Sequence, residues 1–263
     1  MNERRVIPST LASAHTAAGS EYRPVAVMPD VRVVKIGGQS IMDRGREALF
    51  PILDEVIEAR KRGIQVVLLA GGGTRARHIY TIASELDMPT GIVATLGKYI
   101  PMQNARMLQM LLAKHGGIYI MPDDFEKLPL YLQLGCIPVM SGMPPFGYWE
   151  KHQEGSRIPP HRTDAGVFLS CEFLGAKRAI FIKDEDGLYT DDPKKNPHAT
   201  HIPRITAKEL IDRDLPDVVV ERVVIEYLPR SRWCKEVQIV NGLKPGQVLA
   251  ALEGQDVGTI ISA

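Results

Sequence analysis

Residues 181–193 read FIKDEDGLYTDDP. The run Arg178 to Ile182 ahead of Lys183 is strand-like. It empties into a cluster of acids, an Asp186-Gly187 pair, then Tyr189, Asp192 and Pro193, with Lys194 and Lys195 behind. Asp-Gly supplies a turn with φ > 0, and Pro193 stops regular structure beyond it. A buried strand that delivers polar groups at its C-terminal end is the place where open α/β sheets bind ligands. A charged surface loop and a nucleotide site are both open readings of this stretch alone, and the rest of the chain decides between them.

Two further strand-to-glycine junctions lie upstream. The run Val31 to Ile36 ends in Gly37-Gly38, with Lys35 just ahead, and the run Gln65 to Ala70 ends in Gly71-Gly72-Gly73. The second leads directly into a helix expected over residues 74–86. The free N–H groups and dipole of a helix N-terminus favour an anion, and Arg75 and Arg77 follow at once. Neither junction is a Walker A loop or a GxGxxG motif. Three polar junctions, each after a strand, favour a phosphate-bearing ligand.

Between these landmarks the chain alternates. Helical spacing over residues 46–60 is closed by Gly63, and residues 102–115 are closed by Gly116-Gly117. Short strands are expected at 118–121 and 137–140, on either side of a helix carrying Leu128 to Leu134. Residues 141–161 are irregular and hold four prolines, and 164–173 read as a helix. Residues 207–213 form a short helix, 218–228 fit either helix or strand, and 237–240 and 258–261 are strands. Alternation of strand and helix predicts an α/β fold, a mainly parallel open sheet covered on both faces. Residues 1–28, rich in Ser, Thr, Ala and Pro, read as an N-terminal extension, and 29–263 as one domain with lobes 29–165 and 166–263.

Composition narrows the function. Thirty-two basic residues stand against 31 acidic ones. That balance provides no field selecting nucleic acid or an anionic membrane. No apolar run reaches membrane-spanning length, and residues 1–28 lack the apolar core of a secretory signal. Cys136, Cys171 and Cys234 are few and widely spaced, and they read as thiols of a reducing compartment. The expected location is cytoplasmic.

The order of motifs resembles the amino-acid-kinase superfamily. It runs from Lys35-x-Gly37-Gly38 through Gly71 to Gly73, Thr163-Asp164, Asp186 to Lys194 and Asn241-Gly242 to Gly258-Thr259. It is similar to uridylate kinases and, more closely, to the molybdenum storage proteins. The closer likeness rests on VKIGGQSIMDRGR (34–46), GTRARHIY (73–80), SGMPPFGYW (141–149), GSRIPPHRTDAG (155–166), KDEDGLYT (183–190) and VQIVNGLKPG (237–246).

The resemblance implies a three-layer αβα sandwich with ATP across its C-terminal half. Lys183, Asp186, Tyr189 and Asp192 match the adenine and ribose end. Lys35, Gly37, Gly38, Gly72, Gly73 and Arg77 match the phosphate end, and Asp164 organises the basic groups or the metal. In such a site Lys35 and Asp164 carry the catalytic role. Phosphoryl transfer depends on positioned cations more than on covalent chemistry, and Mg²⁺ is expected on the phosphate oxygens with one carboxylate.

Uridylate kinases carry an Asp that holds the uridine ribose, but the matching stretch here, ATLGKYIPMQ (94–103), has no acid. The nucleoside-monophosphate site therefore reads as dismantled. The resemblance then implies ATP-dependent storage of molybdate or tungstate as polyoxometalate clusters, in a homo-hexamer or a hetero-hexamer with a related subunit. A uridylate-kinase-like phosphotransferase is the alternative. His152, His161 and Glu150, with Gln153 behind, are the candidate metal-site residues, and for each histidine a purely structural role is equally open.

Overall fold

The computed structural model describes residues 25–152, 154–215 and 218–263. The first half builds β1 (Arg32–Ile36), α1 (Arg46–Lys61), β2 (Val66–Ala70), α2 (Gly73–Glu85), α3 (Thr90–Leu112), β3 (Gly117–Tyr119), α4 (Leu128–Gln133) and β4 (Ile137–Ser141). The second half opens with α5 (Thr163–Leu174), β5 (Arg178–Lys183), β6 (Leu188–Tyr189), β7 (His201–Ile202) and β8 (Arg204–Thr206). It closes with α6 (Ala207–Arg213), α7 (Arg222–Tyr227), β9 (Glu236–Asn241), α8 (Gln247–Leu252) and β10 (Thr259–Ser262). Eight strands form one sheet in the order β3-β4-β2-β1-β5-β9-β10-β8, and β6 pairs with β7 in a separate ribbon. Every pairing within the large sheet is parallel except β9 with β10.

The apolar strand runs explain this arrangement. All five residues of β2 are buried, as a strand covered on both faces requires. Side chains of β1 alternate between two cores: Val33 joins the layer under α5 and α7, whereas Val34 and Ile36 join the layer under α1, α3 and α8. Strand β5 repeats this, with Ala179 and Phe181 on the first face and Ile180 and Ile182 on the second. Each fully buried aliphatic side chain contributes about 1.5–3 kcal/mol. The result is the expected αβα sandwich with a mainly parallel sheet.

The helix expected at 102–115 is 23 residues long and begins at Thr90. An interior proline removes one helical hydrogen bond, and α3 holds Pro101. Here it is absorbed because one face of α3, including Val93, Ala94, Ala105 and Leu108, is buried. The ambiguous 218–228 stretch contains the short helix α7. The six-residue α8 was not expected at all, being too short to show a period. Of the expected extension, residues 25–28 are described, and Met28 N–H donates to Leu174 O at 2.6 Å.

Candidate functional site

The C-terminal ends of β1, β2 and β5 open on one side of the sheet, together with the N-termini of α2 and α5. They line a cleft of about 980 Å³. That volume lies at the upper end of what a small-molecule site takes. Lys35, Gly37, Gly38, Gly72, Gly73, Arg77, Asp164, Lys183, Tyr189 and Asp192 all line it.

Strand alternation places its central charges. Lys35 follows Val33 and Lys183 follows Phe181 on the face that α5 covers, so both ammonium groups rise toward the first turn of that helix. Lys35 Nζ forms a buried ion pair with Asp164 Oδ1, and Lys183 Nζ lies 3.9 Å from Asp164 Oδ2. Burial opposes ionisation of Asp164, but Lys183 and Lys35 outweigh it and hold the carboxyl down at about 2. Glu221 N–H donates to Asp164 Oδ2 at 3.0 Å. In return the Glu221 carboxylate accepts from the N–H groups of Arg162, Asp164 and Ala165 at 3.0–3.1 Å, which caps α5. Burial, reinforced by the Asp164 charge, pushes the Glu221 carboxyl up.

The glycine junctions form a floor. A Cβ on Gly38 would sit 2.6 Å from Gly73 Cα, so the two loops pack backbone against backbone. Asn104, fully buried in α3, anchors this floor by donating to Gly71 O at 2.6 Å. One expected anion donor is already engaged: Thr74 N–H donates to Asp43 Oδ2 at 2.7 Å.

At the other end, Asp184 pairs with Arg44 at 2.5 Å and with Lys194 at 3.5 Å. Burial resists ionisation of Asp184, but these cations hold its carboxyl below the usual range. Tyr189 and Asp192 flank this end. Asp186 lies outside the lining. It binds Lys244 at 2.6 Å and accepts from Asn241 Nδ2 at 3.0 Å, which ties the loop after β5 to the one after β9. Gly187 is required where that loop crosses β10, because its φ is +138° and a Cβ would lie 2.7 Å from Thr259 Cβ.

Sequence reasoning missed Tyr80 and Arg162 as lining residues. Tyr80 recurs at i+3 from Arg77 on α2. Arg162 stands directly before Thr163-Asp164. Those spacings were the available signals.

The candidate metal residues lie apart from the cleft lining. His161 Nδ1 is 2.8 Å from Glu150 Oε1, and its Nε2 is 2.6 Å from the Tyr227 hydroxyl. Both ring nitrogens are thus engaged in a Glu150–His161–Tyr227 chain. His152 Nδ1 lies 3.2 Å from Thr90 Oγ1. Among the described residues, no group of three or more His, Cys, Asp or Glu side chains is placed to hold a metal ion. Gln153 lies outside the described residues. Within the described residues, no helix is long and apolar enough to cross a membrane.

Comparison with known proteins supplies the context. Residues 30–222 match the amino acid kinase family. The molybdenum storage protein subunit beta of Azotobacter vinelandii is 45% identical over 260 residues, 99% of this chain and 95% of that protein. The uridylate kinase of Methanocaldococcus jannaschii is 28% identical over 239 residues, 87% of this chain and 98% of that one. Among solved structures, uridylate kinase from Archaeoglobus fulgidus superposes with a TM-score of 0.66 at 25% identity, covering 88% of this chain and all of that one.

Proposed function

The chain belongs to the amino acid kinase family, among the molybdenum storage proteins, and from that premise we propose that it binds ATP and stores molybdate or tungstate as polyoxometalate clusters in an oligomeric cage. The observation that carries this is the joint one: a glycine-floored, lysine-lined cleft on a chain that shares 45% identity over 99% of its length with a molybdenum storage subunit.

ATP lies in this reading with its triphosphate over Gly37, Gly38, Gly72 and Gly73, and its base toward Tyr189 and Asp192. Lys35 offsets phosphate charge, and so does Lys183, which the resemblance puts at the adenine and ribose end but which lies 3.9 Å from Asp164; Asp164 holds both ammonium groups in place. Mg²⁺ would be carried on phosphate oxygens with one carboxylate, and Asp164 and Asp184 are among the carboxylates that line the cleft. It would neutralise charge on the β- and γ-phosphates. His152, His161 and Glu150 remain the proposed cluster-contact residues. Subunits assemble with copies of themselves or with a related subunit, as the name of the relative, a subunit beta, supports.

The competing reading is a uridylate-kinase-like phosphotransferase, supported by the more distant relatives. Loading the protein with molybdate and Mg-ATP, desalting it and measuring retained metal separates the two. ATP-dependent retention supports storage. Phosphoryl transfer to a nucleoside monophosphate without retention supports the kinase.

A further inference from the structure

Tyr189 and Asp192 line the cleft, yet they stand on the small β6–β7 ribbon and its loop and not on the eight-stranded sheet. A ribbon of two residue pairs does not hold its own shape, so its attachment decides where those side chains stand. Burial settles one face: Leu188 and Ile202 pair across the ribbon and both join the core. By alternation their neighbours Tyr189 and His201, the other pair, share the opposite face. The two rings lie 5.3 Å apart, tilted by 59°.

His201 also reaches past the ribbon. Its Nε2 lies 3.0 Å from Asp186 O and 3.2 Å from Thr259 Oγ1. A carbonyl only accepts, so Nε2 carries a proton and donates. Thr259, fully buried at the start of β10, agrees with that direction. Its own hydroxyl donates to Ile202 O at 2.6 Å, and its oxygen also accepts from Leu188 N–H at 2.9 Å. The imidazole thus joins the turn after β5, the ribbon and β10. His201 is not among the residues that line the cleft, so its effect on a ligand there passes through Tyr189. The phosphate end is built elsewhere. Gly37, Gly38, Gly72 and Gly73 follow β1 and β2, and β5 and β9 separate those strands from β10.

We propose that His201 is a positioning residue: it fixes Tyr189 for the nucleoside part of the nucleotide and leaves the hold on the triphosphate unchanged. This rests on the reading of the cleft as an ATP site with its base toward Tyr189.

The test is calorimetric titration of full-length protein with a non-hydrolysable ATP analogue and, separately, with inorganic tripolyphosphate, each with Mg²⁺. Wild-type protein should bind the analogue more tightly. His201→Ala should weaken the analogue about tenfold, the combined strength of a hydrogen bond and a ring contact, while tripolyphosphate changes by less than about twofold. His201→Gln, which keeps a donor near the place of Nε2, should weaken the analogue only about threefold. In a Tyr189→Ala background His201→Ala should cost little more, because both changes remove the same contact. Equal weakening of both ligands by His201→Ala would make the histidine a general support of the fold and overturn the proposal. Unchanged analogue binding in His201→Ala would overturn it too, and leave the ATP reading intact. A wild-type protein that binds tripolyphosphate as tightly as the analogue would remove the base from Tyr189, and the ATP reading would fall together with the proposal.

Discussion

Lys35 and Asp164 stand 129 residues apart in the chain and form an ion pair whose side chains are 6% and 7% exposed. The pair joins the C-terminal end of β1 to the first turn of α5 and lines the cleft. Removing Lys35 leaves the buried Asp164 with Lys183, at 3.9 Å, as its nearby cation, and removing Asp164 leaves two ammonium groups side by side. Lys35→Met should therefore cost roughly 3–5 kcal/mol in urea unfolding. The Lys35→Met/Asp164→Asn double variant should lose less than the sum of the two single variants. Strict additivity would mean that the pair does not couple.

Acid stability should report Asp164 directly. Its folded pKa of about 2 lies below the ordinary 3.8, so its contribution is complete above about pH 4 and fades as the pH falls toward 2. The shift corresponds to about 2 kcal/mol. Glu221 acts with the opposite sign: its raised pKa makes ionisation a cost at neutral pH, relieved as the pH falls. Urea midpoints measured from pH 2 to 7 should show Asp164→Asn well below wild type at neutrality, with the gap closing between pH 4 and 2. A constant gap would contradict this assignment.

The glycine floor makes a steric prediction. Gly38→Ala places a methyl group against the backbone of Gly73. The two loops must separate at a cost of about 1–3 kcal/mol, and calorimetric titration should show ATP binding lost. Asn104→Ala removes the donor to Gly71 O and should weaken ATP binding by roughly tenfold, in line with a buried hydrogen bond. Wild-type affinity in both variants would show that the triphosphate lies elsewhere.

Tyr227→Phe removes the hydroxyl that occupies His161 Nε2. The cost should be about 1 kcal/mol in thermal or urea unfolding. Because the change frees a ring nitrogen, metal retained after loading should stay at the wild-type level or rise. A loss of retained metal in a stable Tyr227→Phe protein would give Tyr227 itself, not His161, the contact with the cluster.

The sheet was legible because buried parallel strands are written as short apolar runs: 31–36 and 65–70 run into glycines, and 178–182 into Lys183 and an acidic cluster. Lys35 and Lys183 were legible for the same reason, standing at the C-terminal ends of their strands. Long-range pairing was not. Nothing local in the sequence says that Asp186 turns away to Lys244, or that Asp43 reaches the first turn of α2. His161 showed a chemically apt residue type, whereas its partners Glu150 and Tyr227 lie 11 and 66 residues away. The start of α3 at Thr90 was not legible: proline is a local helix breaker, and burial of one face of α3 overrides Pro101. Arg162 was hidden by its neighbours, since the Thr163-Asp164 pair drew the reading past it.

We propose that this cleft uses ATP to accumulate oxoanion. The most direct test is metal retained after the protein, alone and co-purified with a related subunit, is incubated with molybdate and Mg-ATP and then desalted. Mass spectrometry should find many molybdenum atoms per subunit with ATP and little without it. A few atoms or none per subunit in both preparations, regardless of ATP, would contradict storage.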